Sequence, residues 1–197
     1  MCAPRIFSAA VLSLALAGYC ATTACSDAVT ARAAVKDDKD RKPAPPFTLK
    51  DANGQSVQLA NYKGKVVLLD FWATWCAPCK VEIPWFMEFE QQFKDRGFAV
   101  VGVSMDEDGW NVVKPYITQL KINYRILLGN DDVGQLYGGV DSLPTTFLID
   151  RQGKIASIHV GLERGKEDFK NDIVKLLETS HADAGAPPRD SLLASAK

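Results

Sequence analysis

The feature that most constrains this chain is the run KVVLLDFWA at residues 65–73, which leads directly into Trp75-Cys76-Ala77-Pro78-Cys79. Apart from Lys65 and Asp70 the run is apolar, with none of the polar alternation of a half-exposed strand, so it reads as a strand covered on both faces, as central parallel strands are. Ile83, Phe86, Met87, Phe89 and Phe93 then repeat near the helical period. A helix is therefore expected from about Cys76 to about Arg96. Pro84 should kink it, because proline cannot donate to the carbonyl of Lys80.

A spacing of three on a helix puts Cys76 and Cys79 on one face, within the Cα separation a disulfide tolerates. Unpaired backbone N–H groups and the positive end of the helix dipole favour a thiolate at Cys76, whose pKa is expected below the free value of about 8.5. Pro78 stiffens the first turn without wasting a donor. The pair is thus expected to switch between dithiol and disulfide with little backbone motion, Cys76 at the exposed helix start and Cys79 facing the core. The other cysteines, Cys2, Cys20 and Cys25, lie in the N-terminal extension. A structural disulfide framework would scatter cysteines through the domain, and a zinc ribbon would add a second pair or a histidine pair. The only histidines, His159 and His181, stand far from the motif. No metal and no cofactor are expected. With 23 Lys+Arg against 24 Asp+Glu and a net charge of -1, the chain has no basic footprint for nucleic acid.

Residues 6–17 (IFSAAVLSLALA) form an apolar run after Arg5, followed by small residues through Ala24. That order is expected of a secretory signal over residues 1–25, and the run is short for a membrane span. Cys25 follows Thr-Thr-Ala, with Thr22 rather than a leucine three residues before it, and Cys20 follows Tyr19, so a lipid anchor at either cysteine stays open. Residues 26–46, rich in charge, alanine and proline, read as a flexible linker. Residues 181–197, broken by Gly185, Pro187 and Pro188, read as a flexible tail. Between them, residues 47–180 have the size of one domain.

Within that domain, residues 47–49 and 56–59 flank the turn-forming 51–54 as a hairpin. Strands are expected at 98–106 and 124–129, a helix at 110–120 with Pro115 as a flaw, and helical turns at 131–137. A second hairpin is expected from 145–150 and 154–160, and a closing helix over 165–179. The class is α/β, a central mixed sheet with helices on both faces.

Asp70 to Lys80 (DFWATWCAPCK), Pro84 five residues after Cys79, and Leu143-Pro144-Thr145 far downstream together resemble the thioredoxin superfamily over residues 47–180. Within it, the stretch from Cys79 to Pro84 (CKVEIP), VGVSMDEDGW and LPTTFLIDRQGKI are similar to the exported disulfide reductases of the TlpA and ResA type. The resemblance implies a thioredoxin-like fold with an N-terminal β-hairpin and an inserted helix–strand segment at about 107–129. It implies a protein-disulfide reductase acting outside the cytoplasm, with Cys76 attacking and Cys79 resolving. It also implies a cis Pro144 facing the disulfide, with Leu143, Pro144 and Trp75 in contact with substrate. Trp72 is assigned to ordinary packing.

Asp70 interrupts an apolar strand, where an ionised carboxylate without partners is costly, so its pKa is expected to be raised. It matches the buried aspartate of thioredoxins, and Glu82 matches the active-site glutamate of the ResA-type proteins. Either is a proton relay for Cys79, or else Asp70 is a hydrogen-bonded core carboxylate and Glu82 a helix-surface charge. Where thioredoxins carry a lysine near that aspartate, this chain has Gly102. The acidic run Asp106-Glu107-Asp108 is assigned to a solvated loop without a role.

The partners implied are disulfide-containing exported proteins, for example apocytochrome c thiols before haem attachment, and a membrane dithiol carrier as electron donor. A monomer is expected. One alternative is a peroxiredoxin-like thiol peroxidase, which calls for a threonine three residues before the reactive cysteine, where this chain has Ala73. Another is a copper- or haem-binding module using the two cysteines as ligands. Direction of electron flow stays open.

Overall fold

Strand β4, Val66–Trp72, is buried at every residue and stands near the middle of an eight-stranded sheet ordered β1-β8-β7-β4-β5-β6-β2-β3. The computed structural model describes residues 35–183, with side chains over 35–179. The expected export segment, the start of the expected linker and residues 184–197 lie outside the described residues. The other strands are β1 (Lys42–Pro43), β2 (Thr48–Asp51), β3 (Ser56–Gln58), β5 (Phe98–Ser104), β6 (Arg125–Leu128), β7 (Thr145–Ile149) and β8 (Lys154–Val160). The helices are α1 (Ala77–Phe93), α2 (Trp110–Leu120), α3 (Asp131–Leu136) and α4 (Lys166–Asp183). β4, β5 and β6 run parallel, while β7, β8, β1, β2 and β3 pair antiparallel with their neighbours. The sheet is mixed, as the sequence pattern implied.

Two apolar layers cover the sheet. Alternation along β4 sends Val66, Leu68 and Trp72 to one face, against Ile83, Phe86, Phe89 and Phe93 of α1 and Phe169, Ile173, Leu176 and Leu177 of α4. The intervening Val67, Leu69 and Phe71 pack on the other face with Val133 and Tyr137 at α3 and with Leu49 and Val57 of the hairpin. α1 stays α-helical through Pro84 and ends in a 3-10 turn, Lys94–Arg96, closed by Gly97 at φ 81°. α4 extends past the expected end at 179 to Asp183.

The expected linker is corrected by its second half. Val35 is buried, the Lys36 N–H donates to the Ala156 carbonyl at 2.8 Å, and Lys42–Pro43 pair with Lys154 and Ile155 of β8. Arg41 Nη1 donates to the buried Asp150 at 2.9 Å. Proline-rich composition hid this short edge strand, because an edge strand needs few donors and tolerates proline. The same carboxylate accepts the N–H groups of Gln152 and Lys154 at 3.0 and 2.9 Å, so Asp150 ties the β7–β8 turn to residue 41. Asp150→Ala is expected to cost about 1–3 kcal/mol in urea unfolding, because it strands buried donors. A loss below about 0.5 kcal/mol, the scatter of ordinary surface changes, would show that this anchor contributes nothing.

Candidate active site

The site forms where β4 hands the chain to α1. The Trp72 carbonyl accepts the Met105 N–H at 2.8 Å, and the next turn is held from β5's end by Asp106. The Asp106 carboxylate accepts the Thr74 N–H at 3.0 Å, the Thr74 hydroxyl at 2.5 Å and the Ser104 hydroxyl at 2.8 Å. Asp106 is buried, which corrects its assignment to a solvated loop. A carboxylate that finds three donors can be buried without a net penalty, and adjacency to Glu107 and Asp108 concealed this. Cys76 is the N-cap of α1: its Sγ accepts the Cys79 N–H at 3.2 Å, and the two cysteines form a disulfide with Cα atoms 5.3 Å apart. Neither is open to solvent, Cys76 being 4% and Cys79 1% exposed, so the expectation of an exposed Cys76 is corrected for the oxidised state. The exposed group at this corner is Trp75, at 68%. Trp72 is fully buried beside the Tyr116 ring, centroids 5.5 Å apart, as packing implied.

Beneath the disulfide lie two carboxyls. Asp70 shares its side of β4 with Leu68 and Trp72 and so points toward α1. On α1, Cys79, Glu82, Ile83 and Phe86 form the buried stripe, and Glu82 is 1% exposed, which removes the surface-charge reading. Asp70 accepts the Thr146 hydroxyl at 3.1 Å, while neither Glu82 oxygen has a partner among the described residues. Burial pushes the Asp70 carboxyl up to about 7, opposed by the Thr146 hydrogen bond. Burial, then the Asp70 charge, pushes Glu82 up to about 9.

The strand register sets Thr146, Asp70, Gly102 and Ile126 in one row across β7, β4, β5 and β6. Gly102 thus stands beside Asp70, but a Cβ there would lie 2.7 Å from Ile126 Cδ1, 2.9 Å from Trp72 Nε1 and 3.3 Å from Tyr124 Cε2. The room a longer side chain would need is filled by an indole and a phenol. Sequence reasoning missed Tyr124, since the approach of its ring to Gly102 depends on the β5–β6 register.

The Leu143–Pro144 peptide is cis. β7 starts at Thr145 opposite Phe71, so this loop lies at the end of the sheet where β4 leads into the cysteines. Leu143 packs against the layer that holds Cys76 and Cys79, and the Pro144 carbonyl accepts the Gly161 N–H at 2.8 Å.

The AhpC/TSA family model matches residues 41–158. The chain belongs to that family. It is 38% identical over 140 residues to the thiol-disulfide oxidoreductase ResA of Bacillus subtilis (strain 168), covering 70% of this chain and 76% of that protein. It is 37% identical over 130 residues to the ResA of Geobacillus thermodenitrificans, covering 66% and 74%. Among solved structures, a thiol:disulfide interchange protein of the thioredoxin family from Chlorobium tepidum superposes with TM-score 0.64 at 31% identity, covering 72% of this chain and 99% of that one. The thioredoxin domain of a thiol-disulfide oxidoreductase from Bacteroides vulgatus gives 0.62 at 34%, covering 69% and 96%. The fold is thioredoxin-like, and the chain is a thiol-disulfide oxidoreductase.

The acids make stability depend on pH in a fixed direction. Folded, both carboxyls hold protons at pH values where the unfolded chain has lost them. Their contribution is whole below about pH 4 and is lost as pH rises through about 7 for Asp70 and about 9 for Glu82. Glu82→Gln, neutral at every pH, is expected to match the parent in urea unfolding near pH 4 and to exceed it near pH 8.5. An equal difference at both values would mean that Glu82 ionises in the fold as it does in water.

Proposed function

We propose that this protein reduces disulfides in other exported proteins from outside the cytoplasm, thiols of apocytochrome c before haem attachment being one such target. The observation that carries the reading is a two-cysteine redox centre at a helix start with two buried carboxyls below it. In this reading the Cys76 thiolate attacks a substrate disulfide, forming a mixed disulfide and releasing one substrate thiol. Cys79 then gives its proton to the Asp70–Glu82 pair and attacks Cys76 Sγ. The second substrate thiol departs, and two electrons have passed from the dithiol to the substrate. A disulfide-linked Cys76–Cys79, as found here, is the product state.

Trp75 supports the partner role by its exposure, and Leu143 and Pro144 by their place at the same end of the sheet. In this reading an extended substrate segment lies along that loop. Export is supported by the apolar run at residues 6–17, with lipid attachment at Cys20 or Cys25 open. A reductant in an oxidising compartment needs electrons delivered through the membrane, so a membrane dithiol carrier is the proposed donor. The protein works as a monomer in this reading. Ala73, three residues before Cys76, argues against a thiol peroxidase.

Equilibration of the Cys76/Cys79 pair with defined thiol buffers tests the direction. A potential near the thioredoxin value of about −270 mV is expected, and one near about −120 mV would make the protein an oxidant instead. Cys79→Ala is expected to accumulate mixed disulfides on Cys76 with exported proteins, because the resolving thiol is gone. Cys76→Ala should capture none, and trapping that survives in Cys76→Ala would reverse the two roles. Asp70→Asn is expected to slow resolution by about 10²-fold or more in rapid mixing, while the first attack changes little.

A further inference from the structure

A substrate held on Cys76 covers the face above the disulfide at the moment when Cys79 must lose its proton. The structure contains a second side to the acid pair. Among the described residues, five buried polar atoms on this side of the sheet lack a hydrogen-bond partner: both Glu82 oxygens, Trp72 Nε1, the Tyr124 hydroxyl and, farther off beside Phe169, His159 Nδ1. Asp70 lies near enough to Glu82 and to Tyr124 for its charge to act on both. The Trp72 indole nitrogen and the edge of the Tyr124 ring both approach the place of the missing Cβ, beside Asp70. Unpartnered polar atoms in an apolar layer are each costly unless they share water.

Tyr124 also borders solvent-accessible space. Together with Glu90, Ile117, Asn123 and Arg125 it lines an open polar cleft of about 530 Å³, which lies away from the Cys76–Cys79 corner and includes none of the cysteines, Trp75 or Pro144. Tyr124 is thus shared by the cleft and by the layer that holds Cys79, while its hydroxyl is buried.

We propose that the Tyr124 hydroxyl, with ordered water, carries protons between the Asp70–Glu82 pair and this cleft, giving Cys79 a proton route that stays open while substrate occupies the other face. This deepens the reductase reading and rests on it. Tyr124 acts through the acids and is a positioning residue. Before resolution the hydroxyl donates to the ionised carboxylate. Once that carboxylate has taken the Cys79 proton, the hydroxyl turns to donate to water on the cleft side and accepts the proton from the acid, so one proton leaves the pair toward the cleft for each Cys79 thiolate consumed. Burial, followed by the charges of Asp70, Tyr116 and Glu82, raises the Tyr124 pKa well above its usual value, so the phenol keeps a proton to donate throughout. The other titratable groups on this side of the sheet are Tyr116 on α2, with Lys80 Nζ 6.0 Å from its ring and its pKa raised by burial and then by the Asp106 charge, and His159 across Thr146 on β8. His159 is held down to about 4 by burial and stays neutral near pH 7. On the cleft side stand Glu90, Lys65, Asp51, Arg125 and Tyr62.

The test is Tyr124→Phe in the full chain, which keeps the ring and removes the hydroxyl. A preformed mixed disulfide on Cys76 is resolved in a stopped-flow pH series. Resolution is expected to slow about tenfold at pH 7, and its pH midpoint to rise by about 0.5–1 unit, because a donor to the carboxylate is lost. The first attack by Cys76 should keep its rate. A parental midpoint and rate in a folded Tyr124→Phe would overturn the proposal. Should that variant fail to fold, fluorotyrosine at position 124 reports instead: its 19F resonance is expected to titrate with the acid pair between about pH 7 and 9, and a resonance flat across that range refutes the contact. Failure of the reductase reading looks different, since the parent itself would then form no mixed disulfide with exported proteins.

Discussion

Because β4 is covered on both faces, each of its seven residues needs an apolar partner above or below the sheet, and satisfying that demand fixes where α1 starts and what lies under it. One face takes the Phe86, Phe89 and Phe93 stripe of α1, the other takes Tyr137 and Phe147 around Phe71. Burial of a large apolar side chain is worth about 1.5–3 kcal/mol, so the strand–helix junction is held by the most strongly driven contacts in the chain. At the junction Trp72, Ala73 and Cys76 belong to the same buried layer. Asp106 and the Met105 N–H add hydrogen bonds from the β5 end, to Thr74 and to the Trp72 carbonyl, and the cysteines inherit a rigid platform.

Asp70 and Glu82 run against this logic, since each places a carboxyl in the layer that apolar packing has made dry. Near neutral pH the protein holds Glu82 as the protonated acid and Asp70 about evenly between its two forms, a neutral carboxyl being far cheaper to bury than a carboxylate. Their pKa values are then spaced about two units apart around the range where thiols exchange protons. Stability surrendered on ionisation and readiness to accept a proton are the same property seen in two measurements. The Trp72 indole and Tyr124 phenol, which occupy the room beside Gly102, replace a charged neighbour with neutral donors and leave the acids' pKa values governed by burial.

Much of this was legible from residues alone. The continuous run at 66–72, the three-residue cysteine spacing and the aromatic stripe each follow from local periodicity, so strand, disulfide and helix emerged where they were expected. Glu82 was legible as a neighbour of Cys79 but not as a buried group, because the i, i+3 spacing gives a face and says nothing of what covers it. Asp106 was misread for the same reason. Three consecutive acids look solvated, and only the approach of Thr74 and Ser104 shows that the first turns inward. Residues 35–46 were misread because proline and charge mimic a linker when the strand formed is a two-residue edge.

The sequence by itself determined the alternation of strands and helices, the cysteine pair at a helix start and an acid within the central strand, all of which rest on spacing along one chain. The tertiary structure alone decided which side chains meet beneath the disulfide. Parallel pairing of β4 with β5 and of β5 with β6 put Gly102 beside Asp70 and brought Tyr124, fifty-four residues away, into the same layer. A register shift of one residue would turn every one of those side chains to the opposite face, and no local pattern specifies a register between strands joined by a helix.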